Sequence, residues 1–319
     1  MRNKTKGVIG VIIGCLIISL ISCKKLPGPY SNLSDTTTRA IKTNIIQIET
    51  GRSSPGWVKV YLSVTNQNGT PLENFTVANF EVTEGTIPVK LGEITLASFE
   101  ESGQPIATPL IMDYSGSMSG QPIRDMETAV KSFIGKMQTP DKGEIIKFSS
   151  YVEVVQPFTT DKNLLIAAVD RSWPGAGHYT ALWDALYTGI TDATGQTGLR
   201  AVLGFTDGYE NASSHTWSQL IQHALSSKIA IYSIGLGNCD SIKLKTLSDT
   251  TGGRSFYAPT SEELKEIYDL ISGQIRKCYT LKWNVKSQPG QTVQVKIKTT
   301  YECANGTFEC TSTGSFVAP

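Results

Sequence analysis

The segment PIATPLIMDYSGSMS, residues 105–119, decides how the chain is organised. Its first half, Ile106–Met112, is a short and mainly apolar run of the length that a buried strand requires. The run ends at Asp113, and Ser115 and Ser117 follow at alternating positions. A carboxylate and two hydroxyls just past the end of a strand are able to turn toward one point. Such oxygen ligands suit a hard cation, in particular Mg²⁺, which accepts few protein ligands and keeps several waters.

The spacing of Asp113, Ser115 and Ser117 resembles a known metal-binding motif. It is similar to the metal-ion-dependent adhesion site (MIDAS) of von Willebrand factor A (vWA) domains. The resemblance covers roughly residues 105–277, with the order of strands and helices intact. It implies a vWA domain over this part of the chain.

Two further ligands are found where the resemblance places them. Thr180 opens a helical segment that extends to Ala193, and Asp207, followed by Gly208, ends an apolar run. The resemblance implies a site for Mg²⁺, with Mn²⁺ or Ca²⁺ as alternatives. Its five ligands are Asp113, Ser115, Ser117, Thr180 and Asp207.

The resemblance also implies how such a site is used. If one carboxylate binds only through water, the cation keeps a net positive charge and an exchangeable position, and an acidic side chain of a protein partner docks there. Tyr114, His178 and Tyr179 flank the ligands and form the predicted rim. Packing over the loops is the alternative for the two tyrosines, and simple exposure is the alternative for the histidine.

The region around these residues alternates between strands and helices. Arg200–Thr206 and Ile229–Gly235 are nearly continuous apolar runs, which are typical of strands covered on both faces. A helix with an apolar face begins near Gln121. The pattern predicts an α/β fold with a doubly wound, mostly parallel, Rossmann-like sheet.

Both flanking regions have the alternating pattern of half-buried strands. Examples are Val58–Val64 before the α/β region and Tyr279–Val285 after it. Because the carboxyl-terminal strands cannot bury a core alone, we expect them to complete a β-sandwich-like domain begun by the amino-terminal strands. The predicted organisation is a lipoprotein signal peptide at 1–22, a tether at 23–40, a β segment at 41–104, the vWA domain at 105–277 and the completing β segment at 278–319.

The first 22 residues have the pattern of a targeting segment, with basic residues before an apolar run. Leu20–Cys23 resembles a bacterial lipobox, which implies cleavage before Cys23 and lipidation of that residue. Two or more acyl chains would hold the protein on a membrane of the bacterial cell envelope. An uncleaved amino-terminal anchor is the alternative. The sequence leaves open whether the inner membrane, the outer membrane or the cell surface carries the lipid.

Charge and cysteine content restrict the partners and the compartment. The formal net charge is +1 and the chain has no dense basic patch, so a nucleic-acid partner is not expected. In an exported chain four cysteines besides Cys23 would have access to disulfide formation. Cys303 and Cys310 flank Asn305-Gly306, a hairpin signal, so this pair is the first choice, whereas a Cys239–Cys278 bond is doubtful.

Catalysis is not expected. No phosphate-binding GKS or GKT loop is present, and His178, His215 and His223 are the only histidines. No nucleophile–base pair is evident. Two alternatives to metal-dependent adhesion remain, namely a vWA fold whose metal site is structural or unused, and an assembly factor of the envelope without metal-gated binding. Glu210 and Asn211 are interpreted as a solvated turn.

Overall fold

The computed structural model describes residues 35–173, 177–237, 239–258 and 263–319. Its strands are β1 (Ile41–Gly51), β2 (Trp57–Asn66), β3 (Phe80–Glu84), β4 (Ile87–Val89), β5 (Thr95–Ser98), β6 (Ile106–Asp113), β7 (Lys142–Phe148), β8 (Val152–Thr159), β9 (Leu199–Thr206), β10 (Ala230–Leu236), β11 (Ser255–Ala258), β12 (Tyr279–Asn284), β13 (Thr292–Cys303) and β14 (Gly306–Val317). Its α-helices are α1 (Gln121–Lys136), α2 (Lys162–Asp170), α3 (Leu182–Thr194), α4 (Trp217–Ser227), α5 (Ser241–Thr251) and α6 (Leu264–Arg276).

Six strands form one mixed sheet in the order β11-β10-β9-β6-β7-β8. Neighbours are parallel except β8, which pairs antiparallel with β7 at the edge. Helices α1, α2 and α6 cover one face around a core that includes Met126 and Ile271, and α3, α4 and α5 cover the other around Leu186 and Leu247. Coverage on both faces explains the apolar strands. The predicted doubly wound, mostly parallel sheet is confirmed.

The winding of this sheet reverses between its two central strands. From β6 the chain continues to β7 on one side, and it later returns to β9 on the other side. Because β6 and β9 are parallel, their last residues, Asp113 and Thr206, meet at the same edge. Ligands of open α/β sheets bind at such a reversal, outside the carboxyl ends of the strands.

Two antiparallel sheets are built from both ends of the chain. Their strand orders are β1-β2-β12-β5 and β14-β13-β3-β4. Strand β12 pairs with both β2 and β5, and β13 pairs with β3. Side chains of the two sheets share one core that includes Val60, Phe80, Trp283 and Ile297. The predicted β-sandwich-like domain of amino- and carboxyl-terminal segments is therefore confirmed.

The sandwich contacts the parallel sheet at the edge opposite to the carboxyl ends of its strands. Ile46 and Tyr61 of the sandwich join the core that α1 and α6 cover. The buried Gln47 donates from Nε2 to the carbonyl of Gly198 (3.1 Å) and accepts at Oε1 from the N–H of Arg200 (3.0 Å). These residues lie at the start of β9. The sandwich therefore leaves the carboxyl edge of the sheet open.

The last part of the predicted tether belongs to the folded body. Asp35 accepts hydrogen bonds from the N–H of Thr37 (2.8 Å) and the hydroxyl of Tyr301 (3.0 Å). Its carbonyl accepts from the N–H of Ala304 (3.1 Å) in the β13–β14 turn. The tether prediction was wrong for residues 35–40, because Asp35 forms a hydrogen-bonded turn on the sandwich instead of remaining solvated.

The predicted signal peptide, residues 1–22, and the predicted lipidation site, Cys23, lie outside the described residues. The same holds for residues 24–34 of the predicted tether. Within the part of the chain that the structure describes, no helix is long and apolar enough to cross a membrane. The assignments in this segment remain predictions.

The hairpin of β13 and β14 does not join Cys303 to Cys310, and both thiols are free. The turn contains only two residues, so Cys303 pairs with Gly306 and Cys310 lies opposite Thr299. Four residues of strand, roughly 13 Å, separate these positions, whereas the Cα atoms of a disulfide are at most about 7 Å apart. The predicted disulfide is wrong because the register of the hairpin keeps the two cysteines apart.

Candidate metal site

Asp113, the last residue of β6, is the innermost carboxylate of the predicted site, and its side chain is completely buried. Its Oδ1 accepts a hydrogen bond from the N–H of Ser115 (2.8 Å), which turns the chain after the strand. Its Oδ2 accepts from the hydroxyl of Thr206 (2.6 Å), the last residue of β9. The carboxylate therefore joins the ends of the two central strands.

Ser115, Ser117 and Asp207 lie beside this carboxylate. The hydroxyl of Ser117 donates to Oδ1 of Asp207 (2.7 Å), and the Oγ atoms of Ser115 and Ser117 are 3.4 Å apart. A single 3-10 turn, Gly116–Met118, brings the two serines together. Ser115 is buried and Ser117 is exposed. The loops after β6 and β9 are thus in direct contact through predicted ligands.

Thr180 comes from a third loop. It lies just before α3, which begins at Leu182 and therefore two residues later than predicted. A Cβ at Gly208 would lie 3.1 Å from Oγ1 of Thr180 and 3.8 Å from Oγ of Ser117. Glycine at this position keeps open a space between the hydroxyls that a larger residue would fill. The structure thus brings all five predicted ligands to one place at the carboxyl edge of the sheet.

Both carboxylates of the site are hard to ionise in the absence of a cation. Burial raises the pKa of Asp113 to about 6, although the hydrogen bonds from Thr206 and Ser115 lower it, and the charge of Asp207 raises it further. Burial also raises the pKa of Asp207, and the hydrogen bond from Ser117 opposes this shift. A divalent cation between the two groups would offset both charges.

Asn211 fixes the backbone of Thr180. Its Oδ1 accepts from the N–H of Thr180 (2.8 Å), and its own N–H donates to the carbonyl of Thr180 (3.1 Å). The neighbouring Glu210 accepts from the N–H of Trp183 (2.9 Å) in the first turn of α3, where backbone donors lack helical partners. Asn211 is exposed and Glu210 half-buried, as expected for a solvated segment, but that interpretation missed that their oxygens pair with donors of the Thr180 loop. The loop after Asp207 and the Thr180 loop therefore form one hydrogen-bonded unit.

The loop that leads to the third ligand is also supported from β7. Lys147 is completely buried, and its Nζ donates to the carbonyls of Val169 (2.9 Å) and Arg171 (2.7 Å). Burial lowers the pKa of this lysine to about 8. Just past the strand, Oγ of Ser149 accepts from the N–H of Gly177 (3.0 Å). The sequence pattern gave no sign of these contacts.

Tyr114 does not belong to the rim of the site. Its ring is buried, and its hydroxyl donates to Glu127 in α1 (2.7 Å). The ring packs edge-on against Trp173 at 5.5 Å between centroids, and Nζ of Lys147 lies 4.6 Å from its centroid. Because side chains alternate at the end of a strand, Tyr114 points away from its neighbour Asp113, into the layer of α1 and α2. The rim prediction was wrong at this residue.

His178 and Tyr179 lie on the surface beside Thr180. A Cβ at Gly116 would lie 3.6 Å from Nδ1 of His178, so the imidazole is close to the turn that carries the two serines. The structure therefore brings both residues to the border of the candidate site. Their role in partner binding stays a prediction.

The residues of the site fit a hard divalent cation. The donor set consists of two carboxylates and three hydroxyls, the ligand type of Mg²⁺, Mn²⁺ and Ca²⁺. The space kept open by Gly208 lies between the hydroxyls of Ser117 and Thr180. Clusters of three or more His, Cys, Asp or Glu residues suited to a metal are absent from the described ranges, and this site contains two such residues.

Comparison with known proteins identifies the family. The model of the von Willebrand factor type A domain matches residues 110–270, and the chain belongs to this family. Domains of this kind are typically modules of protein–protein interaction or adhesion and are generally not enzymes.

Two curated relatives match parts of the chain. Calcium-activated chloride channel regulator 1 of Bos taurus is 28% identical over 221 residues, which are 64% of this chain and 22% of that protein. An uncharacterized protein of Synechocystis is 25% identical over 139 residues, which are 42% of this chain and 33% of that protein. The chain thus spans at most a third of the length of these two relatives.

Solved structures share the fold. A von Willebrand factor type A protein from Catenulispora acidiphila matches with a TM-score of 0.50 and 13% identity, over 87% of this chain and 73% of that one. Proximal thread matrix protein 1 from the mussel byssus, described with a zinc-occupied MIDAS motif, matches with a TM-score of 0.53 and 14% identity. That match covers 62% of this chain and 51% of the mussel protein. At these identities the likeness concerns the fold.

Proposed function

We propose that this protein is a metal-dependent protein-binding module that uses a MIDAS-type site. One observation carries the proposal, namely that three loops far apart in sequence bring predicted ligands beside one another. Ser117 donates to Asp207, and a Cβ at Gly208 would fill the space beside Thr180. Mg²⁺ is the proposed cation, with Mn²⁺ and Ca²⁺ as alternatives. The ligands are Asp113, Ser115, Ser117, Thr180 and Asp207.

The residues of the site have different tasks in this proposal. Asp113 is buried and holds the turn of Ser115 in place, so it anchors the ion at the end of β6. Ser117 and Asp207 lie on the outer side, where a partner has access. Thr180 contributes a neutral oxygen from the third loop. When bound, the cation supplies a net positive charge and an exchangeable position for an acidic side chain of the partner.

The mussel byssus protein offers limited support. Its structure is described with a zinc-occupied MIDAS motif, so a protein with this fold holds a divalent ion at that motif. The support for metal binding by this chain comes mainly from its own donor set. The choice of Mg²⁺ follows from oxygen ligands alone.

The proposal extends to the amino terminus. Residues 1–22 would be a signal peptide, and a lipid on Cys23 would anchor the protein in the bacterial cell envelope. The sequence from Leu20 to Cys23 supports this part. In the Cys23→Ser variant, labelled palmitate should no longer be incorporated. Incorporation at the wild-type level would contradict the anchor.

Calorimetric titration with Mg²⁺ and Mn²⁺ tests the site. Asp113→Ala should lower metal affinity by roughly a hundredfold or more, about 2.7 kcal/mol, because half of the compensating charge is lost. Thr180→Ala should have a smaller effect, because water can replace a neutral ligand. Asp161→Ala is the matched control, since Asp161 caps α2 away from the site and its loss should leave metal affinity unchanged. Equal affinity in wild type and Asp113→Ala would refute the proposed site.

Partner binding needs its own test. The wild-type protein should retain a partner from envelope extracts in Mg²⁺ and release it in EDTA. Asp113→Ala should retain none under either condition. If the protein binds metal but retains the partner equally well in Mg²⁺ and in EDTA, an assembly role without metal-gated binding is favoured.

A further inference from the structure

A polar cleft lies where the sandwich meets the parallel sheet, near the amino edge of that sheet. Its volume is about 390 Å³, and its walls come from β1, β14 and the carboxyl-terminal ends of α4 and α5. We call it the junction cleft. Ligand pockets typically have volumes of about 300–1,000 Å³ and often lie where two parts of a protein meet. The hydroxyl and amide side chains that line this cleft include Asn44, Thr250, Ser312, Thr313 and Ser315.

Two cations at the junction cleft have no acidic partner. Lys228, which follows the last turn of α4, lines the cleft, and Arg200, near the start of β9, borders it. Nε of Arg200 lies 3.4 Å from Oε1 of Gln47, which lines the same cleft. Both cations are half-buried, and neither has an ion pair with a described residue. Burial lowers the pKa of both side chains, and the charge of Arg200 lowers the pKa of Lys228 further, so the two cations are close together.

The acids near these cations are bound by other side chains. Glu49 pairs with Nζ of Lys59 (2.9 Å), and Asp249, in the wall of the cleft, pairs with Nζ of Lys42 (2.8 Å). The charge of Glu49 opposes the shift in the pKa of Arg200, but the guanidinium forms no ion pair with it. The two cations are therefore available to an anionic ligand.

The junction cleft does not offer a free strand edge to a peptide. The hydroxyl of Ser312 accepts from the N–H of Ile45 in β1 (3.3 Å). Gly252 packs against the carbonyl of Ile45, since a Cβ at this glycine would lie 2.1 Å from the oxygen. A peptide strand that adds to β1 would need these backbone groups. A compact ligand is therefore favoured, and the exposed hydroxyls of Thr313 and Ser315 are able to donate to it or accept from it.

We propose that the junction cleft binds a phosphate ester of a sugar or polyol. The phosphate would lie at Lys228 and Arg200, and the hydroxylated body would lie along residues 312–315. Arginine forms paired hydrogen bonds with phosphate oxygens, and lysine supplies a compact positive charge. The hydroxyl and amide groups of the walls match the hydroxyls of such a body. This inference does not depend on the proposed metal site.

Calorimetric titration of the purified full-length protein in EDTA tests the proposal, because EDTA removes any cation from the candidate metal site. Glucose 6-phosphate should bind. Glucose should bind roughly tenfold more weakly or worse, because it lacks the charged group. Inorganic phosphate should also bind roughly tenfold more weakly, because it lacks the hydroxyls that pair with the walls. Asp113→Ala should bind glucose 6-phosphate like the wild type.

Four variants locate the ligand. Lys228→Gln and Arg200→Gln should each weaken binding of glucose 6-phosphate roughly tenfold or more, because each removes a charge-assisted hydrogen bond. Thr313→Trp should abolish binding, since it fills the cleft from an exposed position and leaves both cations in place. Lys265→Gln, on an exposed position of α6, is the matched control and should change nothing. If Arg200→Gln fails to fold, Lys228→Gln and Thr313→Trp still decide the test.

The same titrations contain the outcomes that would overturn the proposal. Equal affinities for glucose and glucose 6-phosphate would refute recognition of an anion, and equal affinities for phosphate and glucose 6-phosphate would refute recognition of the body. Equal binding of glucuronate would refute the choice of phosphate. Unchanged binding in Lys228→Gln and Thr313→Trp, or its loss in Asp113→Ala, would place the ligand outside the cleft.

A last pair of ligands separates two sources of the phosphate ester. Dihexanoyl-phosphatidylglycerol is a soluble lipid with a phosphate and a glycerol headgroup, and sn-glycerol 3-phosphate is the corresponding free ester. Tighter binding of the lipid, sensitive to Lys228→Gln, would support the proposal with a lipid headgroup as the ligand. Tighter binding of the free ester would support it with a soluble ligand. Binding of neither, together with no binding of glucose 6-phosphate, would refute it.

Discussion

Two completely buried carboxylates, Glu84 in the sandwich and Asp113 in the parallel sheet, have opposite surroundings. Glu84 accepts three hydrogen bonds, from Nε1 of Trp283 (2.8 Å) and from the N–H groups of Lys286 (2.9 Å) and Ser287 (2.7 Å). Asp113 accepts hydrogen bonds from the N–H and the hydroxyl of Ser115 and from the hydroxyl of Thr206, but it lies near a second carboxylate. Burial still raises the pKa of Asp113 to about 6 and Asp207 adds a like charge, so the hydrogen bonds of Asp113 do not offset the cost of its charge.

This difference indicates two roles: Glu84 stabilises the fold of the sandwich, whereas Asp113 is suited to bind a cation. The donors of Glu84 belong to β12 and the loop after it. The carboxylate therefore joins β3, from the amino-terminal half of the sandwich, to the carboxyl-terminal half. At the other site, burial raises the pKa of both Asp113 and Asp207. Buried charges without sufficient partners are costly. Only an external cation would complete that arrangement.

The largest expected effect is on the stability of the sandwich. Glu84→Ala leaves one buried donor, Nε1 of Trp283, and two partly buried backbone N–H groups without an acceptor, and it should lower the free energy of unfolding by about 3–5 kcal/mol. Asp113→Ala in EDTA should change it by less than about 1 kcal/mol, because the lost hydrogen bonds are offset by removal of a buried charge and, to a smaller extent, of its repulsion with Asp207. Urea denaturation of both variants at neutral pH measures the difference. Equal losses would remove the distinction between the two acids.

The pH dependence of stability should differ between metal-free and metal-loaded protein. The pKa of Asp113 is raised to about 6 in the folded state. The stability that protonated Asp113 contributes is therefore fully present below about pH 4 and is lost as the pH rises through 6. In EDTA, wild type should lose roughly 2 kcal/mol of folding free energy relative to Asp113→Asn between pH 4 and 7. Saturating Mg²⁺ should restore stability at pH 7. Parallel curves for the two proteins in EDTA would contradict this assignment.

A smaller effect is expected from the contact that positions Thr180. Asn211→Ala should lower metal affinity roughly tenfold, about 1.4 kcal/mol, because the Thr180 backbone loses an acceptor. Asn79 is the matched control, since its Oδ1 accepts from the N–H of Thr76 (2.7 Å) and its Nδ2 donates to the carbonyl of Thr300 (3.1 Å) in the sandwich. Asn79→Ala should leave metal affinity unchanged. The positioning role is refuted if both variants bind Mn²⁺ like the wild type.

The smallest effect concerns the thiols. Cys303 and Cys310 are free and are not paired with each other across the hairpin. A reductant should therefore change the free energy of unfolding by less than about 0.5 kcal/mol, whereas loss of a native disulfide costs about 2–5 kcal/mol. Alkylation of the unfolded, non-reduced protein followed by mass spectrometry should modify both residues. A Cys303–Cys310 cross-linked peptide would show that the hairpin adopts another register.

Sequence patterns were sufficient to predict both kinds of sheet and the edge of the sheet at which the ligands come together. Strands covered on both faces are apolar throughout, as around Leu203 and Ile231, whereas the sandwich strands are more polar on their outer face, as at Lys282. Asp113 and Asp207 each stand at the end of such an apolar run. The parallel arrangement then brings these ends to one edge, so the composition of the site followed from local signals.

Contacts between distant loops could not be predicted in the same way. The direction of Tyr114 depends on Trp173 and Glu127, which other elements bring beside it. Asn211 has the sequence pattern of a turn residue, and only the position of the Thr180 loop shows what its side chain binds. Residues such as asparagine bond backbone groups in many conformations, so the sequence alone does not identify the partner.

The metal site is tested most directly by anomalous diffraction from crystals of the protein soaked in Mn²⁺. We expect one peak at the carboxyl edge of the parallel sheet, at about 2.0–2.6 Å from its nearest ligand oxygens. The hydroxyls of Ser115 and Ser117 should be among these ligands, and the peak should be absent in Asp113→Ala crystals treated in the same way. A map with no peak between Asp113 and Asp207, or with a peak that persists in the variant, would contradict the metal site and the binding mechanism built on it.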